Sequence, residues 1–121
     1  MKTDTTEALK HNLNSVEDAI SDIQKGKIVI VVDDEDRENE GDFVVAAQHC
    51  TAEHINFMAR HGRGIICVAL TPPRTKELAL DMMVESNTSL HDTSFTVSVD
   101  YIHGTSSGVS AADRAATVRA L

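Results

Sequence analysis

Aromatic residues are scarce in this 121-residue chain, at 3% of the sequence, with no tryptophan. Its apolar content is nevertheless 41%, so any core must be aliphatic and largely β-branched. Cysteine is rarer still. Cys50 and Cys67 make no disulfide framework, and a reducing cytoplasm is the default location. Basic residues are outnumbered, 11 Lys and Arg against 19 Asp and Glu, for a net charge of −8. That deficit argues against a nucleic-acid or anionic-membrane partner, because polyanion binding draws on clustered cations. No apolar run approaches the ~20 residues of a membrane span. The opening Met1-Lys-Thr-Asp-Thr-Thr-Glu7 is too polar and acidic for a signal or transit peptide. Repeats and low-complexity linkers are absent as well, so residues 15–121 read as one domain behind a polar segment, 1–14.

What is present is an alternation of short helical and strand-like segments. Ser15 with Asp18 reads as an N-cap, and Val16, Ala19, Ile20 and Ile23 follow at helical spacing up to a C-terminal Gly26. The run Lys27–Val32 is β-branched and reads as a strand buried on both faces. Phe43–Ala47 resumes a strand-like run. Thr51 opens a second helix that ends near His61–Gly64, and Gly64–Leu70 is a further buried strand stopped by Thr71-Pro-Pro73. Arg74–Leu80 suits a short helix, and Met82-Met83 are expected to fill core space. Residues 85–94 form a polar loop, and Phe95–Tyr101 alternates as a half-exposed strand does. Ser110 then caps a last helix, with Asp113 at N3 expected to act as a capping carboxylate, and the loop Gly104–Ser110 offers N–H groups to an anion. The implied class is α/β (α+β): a mixed β-sheet flanked by helices, an incomplete three-layer α/β/α domain. The last helix has no stop signal before Leu121, which points to a piece of a longer protein.

Seven of the 19 acids fall within Asp33–Asp42, directly after a strand. An ordinary acidic run is a solvated loop. Here the run is held between two apolar strands, contains Arg37 as a clamp for phosphate or carboxylate, and contains Gly41 for a tight backbone path. Its hard oxygens suit Mg²⁺ or Mn²⁺. Three generic motifs fail. An EF-hand from Asp34 would need Gly and Glu where Asn39 and Val45 stand. An aspartyl-phosphate phosphatase would need a small residue in place of Glu38. A response-regulator receiver would need a helix after Asp33-Asp-Glu35 and a late lysine, yet no lysine follows Lys76.

The loop Asp36-Arg-Glu-Asn-Glu-Gly-Asp42 resembles the signature of the 3,4-dihydroxy-2-butanone 4-phosphate synthase family. The likeness continues through Gly64-Ile-Ile-Cys-Val68, His91–Asp100 and Ser107–Thr117, in order from about Ser15 onward. It implies a lyase of riboflavin biosynthesis that converts D-ribulose 5-phosphate to formate and 3,4-dihydroxy-2-butanone 4-phosphate with Mg²⁺ or Mn²⁺, as a homodimer. By matching position it makes Glu38 a metal ligand, puts Arg37, Glu38 and Asp42 on the sugar phosphate, and makes Glu40, Asp42 and Cys67 candidates for catalysis. Enolisation beside a ketone needs a base at carbon and a Lewis acid on oxygen, which such residues serve. If extended, the loop would turn Glu38, Glu40 and Asp42 to one side. Mid-strand, Cys67 is equally a buried, inert core residue. His91–Thr93 are expected near the site, Cys50 is expected to be structural, and His49 and His54 to lie on a surface helix.

One departure matters. The family's second metal ligand lies in a His-Thr-Glu motif, and the six histidines here precede Asn12, Cys50, Ile55, Gly62, Asp92 and Gly104. The chain is therefore expected to carry only the first part of a catalytic domain and to lack synthase activity alone. The alternative is a noncatalytic metal-binding or interaction domain.

Overall fold

Ser15 accepts a hydrogen bond from the Asp18 amide and so starts helix α1, Val16–Gln24, in the computed structural model, which describes residues 13–121. All but the last two positions of the polar segment 1–14 lie outside the described residues. Gly26 closes the helix at φ 76°, where the Lys27 amide returns to the Asp22 carbonyl and the Gly26 amide to Ile23. This double closure satisfies the orphan carbonyls of the last turn. Strand β1, Val29–Val32, pairs antiparallel with β2, Gly41–Val44, with Val31 opposite Asp42 and Val32 opposite Gly41. A 3₁₀ turn follows at Ala47–His49.

The chain divides into two compact units after His49. In the second, Thr51 caps α2, Ala52–Phe57, by accepting from the His54 amide, while His54 Nδ1 accepts from the Thr51 amide. The reciprocal partner is thus a histidine in place of the usual Glu or Gln. A π-turn over Met58–Gly62 ends at Arg63, whose φ of 58° is left-handed. Helix α3 spans Pro72–Glu77, starting on the prolines because Pro at N1 gives up no hydrogen bond. Helix α4, Ala111–Ala120, packs on α2 around a buried cluster of Cys50, Ile55 and Ala115, bordered by Ile66, Ala111 and Val118. The Arg119 guanidinium donates to the Cys50 carbonyl, and burial raises the Cys50 thiol pKa, in keeping with a structural role. Arg74 donates from Nε to the Leu121 carbonyl at 2.8 Å and from Nη2 to the Ala120 carbonyl.

The α+β class holds, but the strands differ from expectation. The sheet among the described residues is two-stranded and antiparallel, and β1 is exposed from Ile30 to Val32, with Ile30 at 66%. A two-stranded ribbon cannot cover both of its own faces, so the β-branched run meets solvent. Residues 64–70 and 95–101 join no ladder; Met82 and Thr96 form an isolated bridge. Met82 and Met83 are more than half exposed and border a cavity, so they do not fill a core.

Candidate active-site loop

β1 delivers the chain to Asp33, and β2 receives it at Gly41, so the acidic loop is a hairpin connection with fixed ends. Asp33 organises it. Its Oδ1 accepts from the Glu40 amide at 3.0 Å, and its Oδ2 accepts from the Glu38 amide at 3.1 Å and from Arg37 Nη1 at 2.7 Å. The Asp33 amide closes the base of the loop on the Glu40 carbonyl at 3.3 Å. These bonds, led by that from the Glu40 amide, hold the Asp33 carboxyl below its ordinary pKa. Arg37 also reaches Glu38 Oε1 at 3.1 Å through Nη2, so one guanidinium spans two carboxylates. The hairpin thereby carries Arg37, Glu38 and Glu40 in its loop and Asp42 in the β2 ladder.

Two details differ from expectation. The loop is not extended throughout: Asn39 stands at φ 52°, which interrupts the alternation between Glu38 and Glu40. The tight path belongs to Asn39 and not to Gly41, which lies in β2 without a positive φ, and where an added Cβ would meet Ile30 and Val32 at an ordinary contact distance of 3.5 Å. Asparagine tolerates the left-handed region through its short polar side chain. Asp33 escaped sequence reading as a functional residue. Its signal was present, since an Asp at a strand end before a turn commonly accepts backbone amides a few residues on.

Cys67 lies in the second unit and is exposed, so it is not the buried residue its sequence position suggests. It borders an apolar cavity of about 850 Å³ together with Ile65, Ile66 and Val68. His91, Asp92 and Thr93 sit in the exposed loop expected there, with Asp92 at φ 53°.

Asp113 does more than cap. Its amide donates to Ser110 Oγ, as expected, but its carboxylate Oδ2 accepts from the amides of Ser106 and Gly108 and from Ser106 Oγ. Two of the loop amides read as available to an external anion, those of Ser106 and Gly108, are therefore taken by the chain's own carboxylate. Those bonds, the Ser106 amide first, lower the Asp113 pKa from 3.8. A depressed carboxyl contributes stability that is full above its unfolded pKa and is lost as pH falls through the folded value. Asp113→Asn should therefore lower the urea midpoint at pH 7, and the gap from wild type should close below pH 3.8; a gap constant from pH 7 to pH 3 would refute this account.

Comparison with known proteins decides the family. The profile described as 3,4-dihydroxy-2-butanone 4-phosphate synthase matches residues 17–121. The chain belongs to this family. It is 58% identical over 109 residues to the riboflavin biosynthesis protein RibBA of Phocaeicola vulgatus, covering 90% of this chain and 27% of that protein. It is 57% identical over 106 residues to the 3,4-dihydroxy-2-butanone 4-phosphate synthase of Agrobacterium fabrum, covering 88% of this chain and 50% of that protein. A crystal structure of such a synthase in complex with two magnesium ions aligns with a TM-score of 0.85 at 44% identity, over 88% of this chain and 50% of that one. The chain thus spans half or less of the length of these synthase-family relatives. Among the described residues no helix is long and apolar enough to cross a membrane.

Proposed function

We propose that residues 15–121 form the first part of a synthase domain that cleaves D-ribulose 5-phosphate to 3,4-dihydroxy-2-butanone 4-phosphate and formate, in the cytoplasm and as a homodimer, with Mg²⁺ or Mn²⁺. The hairpin of Arg37, Glu38, Glu40 and Asp42, held open by Asp33, carries this reading. Its donor set fits the metal: hard carboxylate oxygens suit an ion that takes one or two carboxylates and completes its shell with water and substrate. Glu38 is the ligand of choice. The bound ion supplies Lewis acidity at the oxygen of the enolising ketone.

The chain's own residues do the rest. Arg37, pre-positioned by two carboxylates, exchanges one of them for the substrate phosphate, whose charge and forked geometry suit a guanidinium. Glu40, its amide tethered to Asp33, takes the carbon-bound proton, and Asp42 orients a sugar hydroxyl from the rigid end of β2. Cys67 is proposed to line the reacting carbons; its exposure permits that contact. Two free cysteines agree with a reducing compartment.

A hybrid tests the proposal. This chain is joined to the half of the Agrobacterium fabrum synthase that lies outside the match. The hybrid is expected to release formate from D-ribulose 5-phosphate in the presence of Mg²⁺, and the 121-residue chain alone to release none. A folded hybrid without turnover, beside an active parent, would overturn the reading.

A further inference from the structure

Thr51 and His54 close the first turn of α2 on each other, and one of their two bonds depends on charge. The Thr51 amide donates to His54 Nδ1 at 3.3 Å, while the His54 amide donates to Thr51 Oγ1 at 3.2 Å. An imidazole nitrogen accepts only through a lone pair, so the first bond requires a neutral ring with its proton on Nε2. Gln in the same place would offer an acceptor oxygen at any pH. With histidine there, one proton turns the acceptor into a second donor. The Thr51 amide then faces an N–H, and a cation stands at the positive end of a helix. Both effects act against the first turn of α2. That turn leads straight into the core: Ile55 follows His54, is 2% exposed, and lies in the buried cluster with Cys50 and Ala115 that joins α2 to α4.

The surroundings do not compensate. Glu53 is adjacent in sequence, but neighbouring positions on a helix diverge. Its carboxyl is held below its ordinary pKa first by its own amide and then by the Thr51 hydroxyl, with His54 contributing least. The elements packed against α2 are α4 and the π-turn. α4 carries Asp113, whose carboxylate is taken by Ser106 and Gly108, together with Arg114 and Arg119. Arg119 donates to the Cys50 carbonyl, one residue before the cap. The π-turn carries Arg60 and His61. These neighbours are arginines, a histidine and a committed carboxylate, so none of them stabilises an imidazolium. We propose that His54 is an acid-sensitive latch on the α2–α4 pair: neutral, it closes the capping box; protonated, it opens the first turn of α2 and loosens Ile55 from α4. The latch works between about pH 8 and about pH 5, where imidazoles ordinarily gain a proton; its contribution is full at the upper end and lost toward the lower. It is independent of the reaction assigned to the acidic loop.

The test follows the 121-residue chain and its variants by hydrogen exchange from pH 8 to pH 5, with each rate expressed as protection relative to the unfolded chain at that pH. In wild type, protection of the Thr51 amide and of the α2 amides is expected to fall about fivefold, the size of one helix cap. His54→Gln, whose side-chain oxygen accepts across the whole range, should hold its protection within about twofold. His54→Ala, with no acceptor at any pH, should show the low value throughout. Glu53→Gln should leave the wild-type response in place. The ¹⁵N spectrum of the His54 ring at pH 8 should show the Nε2–H tautomer. Three outcomes overturn the proposal: an Nδ1–H tautomer at pH 8, the same change of protection in wild type and His54→Gln, or a response that disappears in Glu53→Gln and so belongs to the carboxylate.

Discussion

Glu38→Ala in the hybrid is expected to lower formate release by on the order of 10²–10³-fold or more, the scale of removing a group that stabilises developing charge. The fold should be unchanged, because the loop contributes nothing to the buried cluster. Asp33→Ala, at a residue that touches no substrate in the proposed scheme, is the more informative companion. It removes the acceptor of the Glu38 and Glu40 amides and one of the two carboxylates that hold Arg37. Misplacing catalytic groups by about 1 Å can cost about 10²-fold, so a loss of that size is expected for Asp33→Ala. The two variants should differ in character. Glu38→Ala should lose Mg²⁺ affinity with an ordered loop, whereas Asp33→Ala should speed amide exchange at Glu38 and Glu40. Equal exchange in both, or retained turnover in Glu38→Ala, would refute the division of roles.

The division also shows how much was legible in the residues alone. Ser15, Gly26, Thr51 and Ser110 announce helix ends through local chemistry, and each is found where that chemistry puts it. The hairpin loop was legible as a unit because its signature is contiguous. What could not be read is what depends on distant partners. The Leu121 carbonyl accepts from Arg74, more than forty positions away. The acceptor for the Ser106–Gly108 amides is Asp113, whose capping pattern conceals its second task. The strands at 64–70 and 95–101 have the right composition, but a strand exists only when another segment supplies its hydrogen bonds. Gly108 is a related case: at φ 78°, with Asp100 carboxylate atoms 2.5 Å from where a Cβ would stand, it is required by a contact between segments and not by its turn alone.

Ile55→Ala is expected to be the most damaging single change to the fold. Ile55 is 2% exposed, and it shares the buried apolar cluster with only Cys50 and Ala115 among the described residues. Truncating a buried isoleucine costs roughly 2–5 kcal/mol through lost transfer energy and the cavity left behind. The half-buried Ile66 and Val118 can relax into the space, which favours the lower part of that range. Even so, domains are stable by only about 5–15 kcal/mol, and one with so small a core sits near the bottom of that interval. Ile55→Ala should therefore separate α2 from α4 and abolish a cooperative thermal transition in the second unit. The hairpin of β1 and β2 draws no buried residue from that cluster, so the exchange protection at Glu38 and Glu40 should persist. A cooperative transition retained within a few degrees of wild type would show that α2 and α4 are held together by something other than this cluster.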